Sequence, residues 1–369
     1  MPVGEKKVGL PELFYDLVFV YALFRTTELV HHADEADYAT FLISLVILFT
    51  VWLYQSIYIN RFGDNSWRDW LFLFADMFLL LFLSNAVGSD WLANFVPFNL
   101  ALGLLVGNVC LQYLLQLARH ASPEQHRRIK LVAGLRGLTT ATVLGSLLFP
   151  ANIGQWVALG GFGLGWILPA FVRHKQPAVN FPHLLERLNG LVIIFFGETV
   201  IDIAPYFHVA KFEIGALPVI VILFAMFTVY VMQFSYFIKA QSSGALPSYS
   251  HYAVLIGIAL TTVALAWLHR NSTATAESVR MLWLGLGVFY LGVAANTPYN
   301  KPEHRRPQRL WIFQTTLFVI GAGLAAVLPP QPLVILTTTA LMTAAIAMAT
   351  VYFERRTRQL SQTNQNHET

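Results

Sequence analysis

Hydrophobic residues in this chain run in long blocks, separated by short segments rich in Arg, Lys, Pro, Asn and Gly. A block of about 20 apolar residues crosses a hydrocarbon core of about 30 Å as a helix. Such blocks fall at about 10–30, 40–60, 69–88, 96–118, 129–149, 153–172, 184–205, 216–239, 249–268, 279–297, 309–328 and 332–352, which predicts about 12 transmembrane helices. The blocks at 129–149 and 153–172 are diluted by Gly134, Gly137, Gly154, Gly160, Gly161, Gly163 and Gly165. Glycine is common where membrane helices approach closely, so both are kept. The expected fold class is an all-α polytopic membrane protein.

The pattern also repeats. "FTVWLYQSIY" (49–58) aligns without gaps to "FTVYVMQFSY" (227–236), with five of ten residues identical at an offset of 178. "PEQHRR" (123–128) resembles "PEHRR" (302–306), and "LPELFYDL" (10–17) can be laid over "FPHLLERL" (181–188) at an offset of 171. These matches predict a six-helix membrane repeat over 1–178 and a second over 179–356, parallel to each other about an axis along the membrane normal. The polar tail, 357–369, is expected to be a disordered cytoplasmic segment.

Composition agrees. Of 369 residues, 56% are hydrophobic and 12% charged, and mean hydropathy is +0.56, outside the range of soluble domains. Lys and Arg gather at one set of helix ends, from Lys6 and Lys7 through Arg127, Arg128 and Arg187 to Arg355, Arg356 and Arg358, while the opposite loops hold Lys211, Arg270 and Arg280. That asymmetry predicts two cytoplasmic termini. It also accounts for the net charge of +4 without a nucleic-acid partner, the lipid bilayer being the neighbour of these cations. No cleavable signal peptide is evident, and the first block reads as a retained anchor. Cys110 is the single cysteine, so no disulfide framework forms within one chain.

Charges inside the blocks are the candidate chemistry, because an intramembrane charge is costly unless paired or hydrated. Glu12 and Asp16 are four apart and share a face of the first helix. In the seventh, Arg187, Leu191, Ile194, Glu198 and Asp202 lie along one stripe. Under the repeat Asp16 corresponds to Arg187, and a contact between them would leave Glu198 as the titratable group. Asp76, among Phe72, Phe74 and Phe78, is a proton site or the partner of Arg136. Arg25 with Glu28, Glu186 and His251 are secondary candidates. No residue is assigned as catalytic.

Other motifs carry less. "HHADEAD" (31–37) holds zinc-binding residue types but reads as an acidic hydrated loop, and "GGFGLG" (160–165) lacks the strand-turn-helix context of a phosphate loop. Lys211 and Lys239 are not mid-helix, against a retinal Schiff base. No cofactor and no metal are expected.

The segments "PELFYDLVFVYAL" (11–23) and "ERLNGLVIIFFGETVI" (186–201) resemble the bacterial low temperature requirement protein A family over nearly the full chain. Glu12, Leu13, Phe14, Asp16, Leu17, Val18, Phe19 and Val20 match its first-helix signature, and Glu186, Arg187, Gly197, Glu198, Thr199 and Val200 its mid-chain signature. The resemblance implies the class and no molecular activity. The opening of the repeat also resembles that of the endolysosomal potassium and proton channels at Phe14 and Asp16, with Leu10 in the place of that family's arginine.

Three functions are compatible with this sequence. The leading one is a proton- or cation-coupled transporter or ion-conducting protein, a single chain or a homo-oligomer, moving a small ion or small-molecule substrate past the intramembrane carboxylates. The others are an intramembrane enzyme acting on lipid or isoprenoid substrates, disfavoured by scattered histidines, and a membrane sensor or scaffold, disfavoured by the lack of a signalling domain.

Overall fold

A computed structural model describes residues 6–30, 37–119, 122–172, 175–207, 209, 214–239, 244–270, 275–304 and 308–368. Twelve α-helices succeed one another among the described residues: α1 (Leu10–Thr27), α2 (Tyr38–Phe62), α3 (Trp67–Asn85), α4 (Phe95–Leu117), α5 (Pro123–Gly145), α6 (Ala151–Phe171), α7 (Phe181–Ile203), α8 (Ala216–Val231), α9 (Ala245–Arg270), α10 (Ala276–Ala294), α11 (Gln308–Val327) and α12 (Pro332–Glu368). Ten are long and apolar enough to cross a membrane. The other two carry three charged residues each: Glu12, Asp16 and Arg25 in α1, and Arg68, Asp69 and Asp76 in α3. The chain is a multi-pass membrane protein.

Helix starts follow local chemistry. Pro11 sits in the first turn of α1, where its missing N–H is no loss, and the Gly9 N–H donates to Glu12 Oε1 at 3.1 Å. Asp37 caps α2 by accepting from the Thr40 N–H at 2.9 Å. Before α3, Asn65 adopts a φ of 60°, a left-handed turn that asparagine tolerates.

At its other end the chain departs from expectation. In place of a disordered tail from residue 357, α12 continues as helix through Glu368. After Pro332 it meets neither Pro nor Gly, and an Arg358–Glu354 pair one turn apart supports its extension.

The chain divides into two compact units, Met1–Ile194 with Ser243–Ser248, and Phe195–Ser242 with Tyr249–Thr369. In the first, α5 lies along α4 and α6, and α3 along α1 and α4. The glycines that dilute α6 have a packing role, because a methyl group at Gly161 or Gly165 would collide with Thr142 or Thr139 of α5. In the second, α12 packs on α8 and α11. There α8 passes into a π-helical turn, Met232–Phe237, whose last bond runs from the Ile238 N–H to Gln233 O at 3.1 Å. An isolated antiparallel bridge between Ile238 and Asn300 follows.

Candidate functional site

Three helices of the first unit carry polar side chains at four-residue intervals, the spacing that stacks them on one helix face. They are Glu12 and Asp16 of α1, Trp52, Ser56 and Asn60 of α2, and His183 and Arg187 of α7. They meet as a ladder with two rungs.

In the inner rung, Arg187 Nη2 donates to Asp16 Oδ1 at 2.8 Å and to Ser56 Oγ at 3.2 Å. Trp52 Nε1 donates to the same Asp16 oxygen at 2.7 Å, and the Arg187 guanidinium lies 5.3 Å from the Trp52 ring centroid, within range of a cation–π contact. In the outer rung, Glu12 Oε2 lies 3.4 Å from Arg187 Nη1 and 3.5 Å from His183 Nε2. All four titratable residues are buried, from 1% exposed for Arg187 to 6% for Glu12.

Asn60 sets the tautomer of His183. Its Oδ1 accepts from the Asn180 N–H at 2.8 Å, and its Nδ2 donates to Asn180 O at 2.8 Å. This pairing fixes the amide orientation, so the Nδ2 that lies 3.0 Å from His183 Nδ1 is a donor and Nδ1 the acceptor. The ring hydrogen therefore sits on Nε2, facing Glu12. With this tautomer the ladder sets two carboxyl groups against one guanidinium.

A cavity of about 230 Å³ touches Glu12 and is also lined by Lys6, Gly9, Asn65, Asp69 and Trp70. Lys6 Nζ donates to the carbonyl oxygens of Ile59 and Gly63 at the end of α2. Burial holds the Lys6 pKa below its usual value, against the pull of Glu12, Asp69 and Asp64.

Asp76 is fully buried and apart from the ladder. Asn108 Nδ2 donates to its Oδ1 at 2.7 Å and to Phe72 O at 3.0 Å, while Oδ2 has no hydrogen-bond partner among the described residues. The anticipated alternative of an Asp76–Arg136 pair is not what forms. Arg136 lies over the Tyr54 ring and donates to Gly165 O at 3.3 Å, because its face of α5 turns to α2 and α6 while Asp76 turns to α4. Arg25 and Glu28 pair with each other at a half-exposed position. Glu186 is exposed.

In the second unit, Glu198 is buried and Asp202 partly buried, and Thr199 Oγ1 lies 2.7 Å from Thr262 Oγ1. His251 is buried, its Nε2 3.0 Å from Tyr230 OH and its ring 4.7 Å from that of Phe234. Of the acidic "HHADEAD" segment, residues 31–36 lie outside the described residues, as does Lys211. No cluster of metal-ligating side chains occurs among the described residues.

Sequence reasoning found Glu12, Asp16 and Arg187 by their charge and missed His183, Trp52, Ser56 and Asn60, which carry none. The available signal was the shared four-residue interval.

Residues 7–364 match the family described as bacterial low temperature requirement A protein (LtrA). The chain belongs to this family. The two LtrA-like segments of the sequence, far apart along the chain, meet in the ladder through Glu12, Asp16 and Arg187. A curated relative, "Uncharacterized protein RA0937" of Rhizobium meliloti (strain 1021), is 24% identical over 293 residues, covering 70% of this chain and 69% of its own. Its printed name assigns no activity.

Proposed function

We propose that this LtrA-family protein is a proton- or cation-coupled transporter or ion-conducting protein of the bacterial inner membrane, with both termini cytoplasmic. The observation that carries the reading is the buried ladder in which two carboxyl groups, Glu12 and Asp16, share the one guanidinium of Arg187, reached at Glu12 from a cavity. A carboxylate left without a full partner in a low-dielectric interior is strongly unfavourable. A proton or small cation bound beside Glu12 and Asp16 supplies that partner, and its departure leaves the two carboxylates competing for one guanidinium. That competition gives the ladder two charge states of different preferred geometry, as a coupled carrier requires. In this reading Glu198 and Asp202 continue the path along α7, and Asp76 is an auxiliary site.

The repeat read from the sequence supports the same reading. Two parallel six-helix repeats place an axis where equivalent helices approach, and transport sites lie at repeat interfaces. Glu12 with His183, and Asp16 with Arg187, are pairs of equivalent positions under the 171-residue offset.

The test is flux into liposomes holding the purified protein, with pH and K⁺ gradients imposed in turn, for wild type, Asp16→Asn and Glu198→Gln. The reading expects wild type to dissipate a gradient and Asp16→Asn to lose that flux while remaining folded. Undiminished flux in folded Asp16→Asn removes the ladder from the path. Absence of flux in folded wild type overturns the proposal.

A further inference from the structure

A second cavity of the first unit, about 600 Å³, lies along α3 and α4 and is distinct in its lining from the one beside Glu12, sharing Asp69 alone. At one end stand Arg68, at the start of α3, and Arg119, just past the end of α4. From there the lining turns apolar through Leu71, Phe72, Ala75 and Leu115 before reaching Asn108. At 1.5 Å per residue, the seven positions from Arg68 to Ala75 cover roughly 10 Å of helix, and the eleven from Arg119 to Asn108 roughly 16 Å. Tyr58 and Gln116, hydrogen-bonded to each other at 2.8 Å, complete the lining, so the cavity has a cationic rim and a largely apolar shaft about two helical turns deep along α3 and about three along α4.

The rim cations are available. Arg68 is exposed and stacks over Trp67, 5.7 Å from the ring centroid. Arg119 is also exposed and faces Asp64 at 3.9 Å, a solvent-screened contact of small worth. The nearby Asp69 carboxylate is already engaged, accepting from the backbone N–H groups of Asp64 at 3.0 Å and Ser66 at 3.2 Å. The flanks face outward, with Trp67 65%, Leu71 56% and Leu115 49% exposed. A tryptophan beside arginines at a helix end marks the headgroup level of a bilayer, and basic pockets between membrane helices at that level suit anionic headgroups.

We propose that this cavity is a binding site for an anionic glycerophospholipid, its phosphate held by Arg68 and Arg119 and one acyl chain lying in the shaft along Leu71, Ala75 and Leu115. Guanidinium groups bind phosphate oxygens through paired charge-assisted hydrogen bonds, and two of them select for charge. The shaft selects for a chain, which free phosphate lacks.

The experiment is native mass spectrometry of the detergent-purified full chain titrated with phosphatidylglycerol, phosphatidylcholine or inorganic phosphate. The variants are Arg68→Gln/Arg119→Gln, and Ala75→Phe to fill the shaft, with folding checked by circular dichroism. Wild type should retain phosphatidylglycerol in preference to phosphatidylcholine. The double arginine variant should lose at least about tenfold in phosphatidylglycerol affinity while keeping its weak phosphatidylcholine binding. Ala75→Phe should lose phosphatidylglycerol with both arginines in place. Unchanged phosphatidylglycerol affinity in the folded arginine variant overturns the proposal. So does inorganic phosphate that displaces the lipid at equal concentration, since the site would then recognise an anion alone. Should Ala75→Phe fail to fold, Leu115→Gln tests the shaft with the same expected loss.

Discussion

Glu12 and His183 stand 171 residues apart in sequence and 3.5 Å apart in space, Oε2 to Nε2, and Asp16 and Arg187 repeat the same interval at 2.8 Å. One turn along α1 is thus matched by one turn along α7, so the two contacts stack on facing sides of the two helices. At each step an acidic side chain of α1 faces a nitrogen-bearing side chain of α7.

Arg187 is the only guanidinium in the ladder, so its loss should be the most damaging single change there. Removing one partner of a buried ion pair costs about 3–5 kcal/mol. Arg187→Met is expected to lower the unfolding midpoint accordingly, and adding Glu12→Gln and Asp16→Asn to recover most of the loss. Thermal unfolding in detergent measures both. A triple variant no more stable than Arg187→Met would show that charge imbalance is not the cause.

The tautomer of His183 is open to direct observation. Nitrogen NMR of histidine-labelled protein should find the ring hydrogen on Nε2. Asn60→Leu removes the N–H that faces Nδ1, and the ring hydrogen should then no longer be held on Nε2. A wild-type ring carrying its hydrogen on Nδ1 would refute the hydrogen-bond assignment.

His304, between α10 and α11, gives a pH dependence of known sign. Burial lowers its pKa below the usual 6.5, against the pull of Glu303. Between the lowered value and 6.5 the unfolded chain binds more protons than the folded one, so stability should rise with pH across that window and fall as acid is added. Unfolding midpoints taken through the window should show this slope in wild type and a shallower one in His304→Gln.

Two glycines of α6 should respond oppositely to a side chain. Gly165→Leu must displace Thr139 of α5, and overpacking of this kind costs about 1–3 kcal/mol. Gly163 has nothing within 4 Å of where a Cβ would lie, so Gly163→Ala should be neutral or should gain up to about 1 kcal/mol of helix propensity. Parallel melting curves separate the two.

The helices were legible because block length answers to bilayer thickness, which any sequence displays. α6 was the hardest to read, and its glycines are the residues that let α5 approach. In the ladder, charges in apolar blocks announced themselves, whereas Ser56 and Asn60 did not. Uncharged polar residues are common in these helices because many satisfy themselves on the preceding turn, as Thr26 does on Ala22 O at 2.9 Å and Thr50 on Val46 O at 2.6 Å. Nothing in a sequence separates them from a residue that reaches another helix. The two readings of Asp76, proton site or partner of Arg136, stayed open in the sequence for a related reason: helix spacing tells which residues share a face but not which helix that face meets.

The π-helical turn at Met232–Phe237 gives the two similar segments different fates. Gln55 and Gln233, which match at the 178-residue offset, are both completely buried. Three residues further on the match continues as Tyr58 and Tyr236, yet Tyr58 is 3% exposed and accepts a hydrogen bond from Gln116, whereas Tyr236 is 36% exposed and lies beneath the Arg358 guanidinium. α2 is regular α-helix at these positions, and the other segment has taken up a wider turn. A change of winding thus gives the same tyrosine a new neighbour without altering the letter, and two segments of similar sequence differ in geometry where their residues agree.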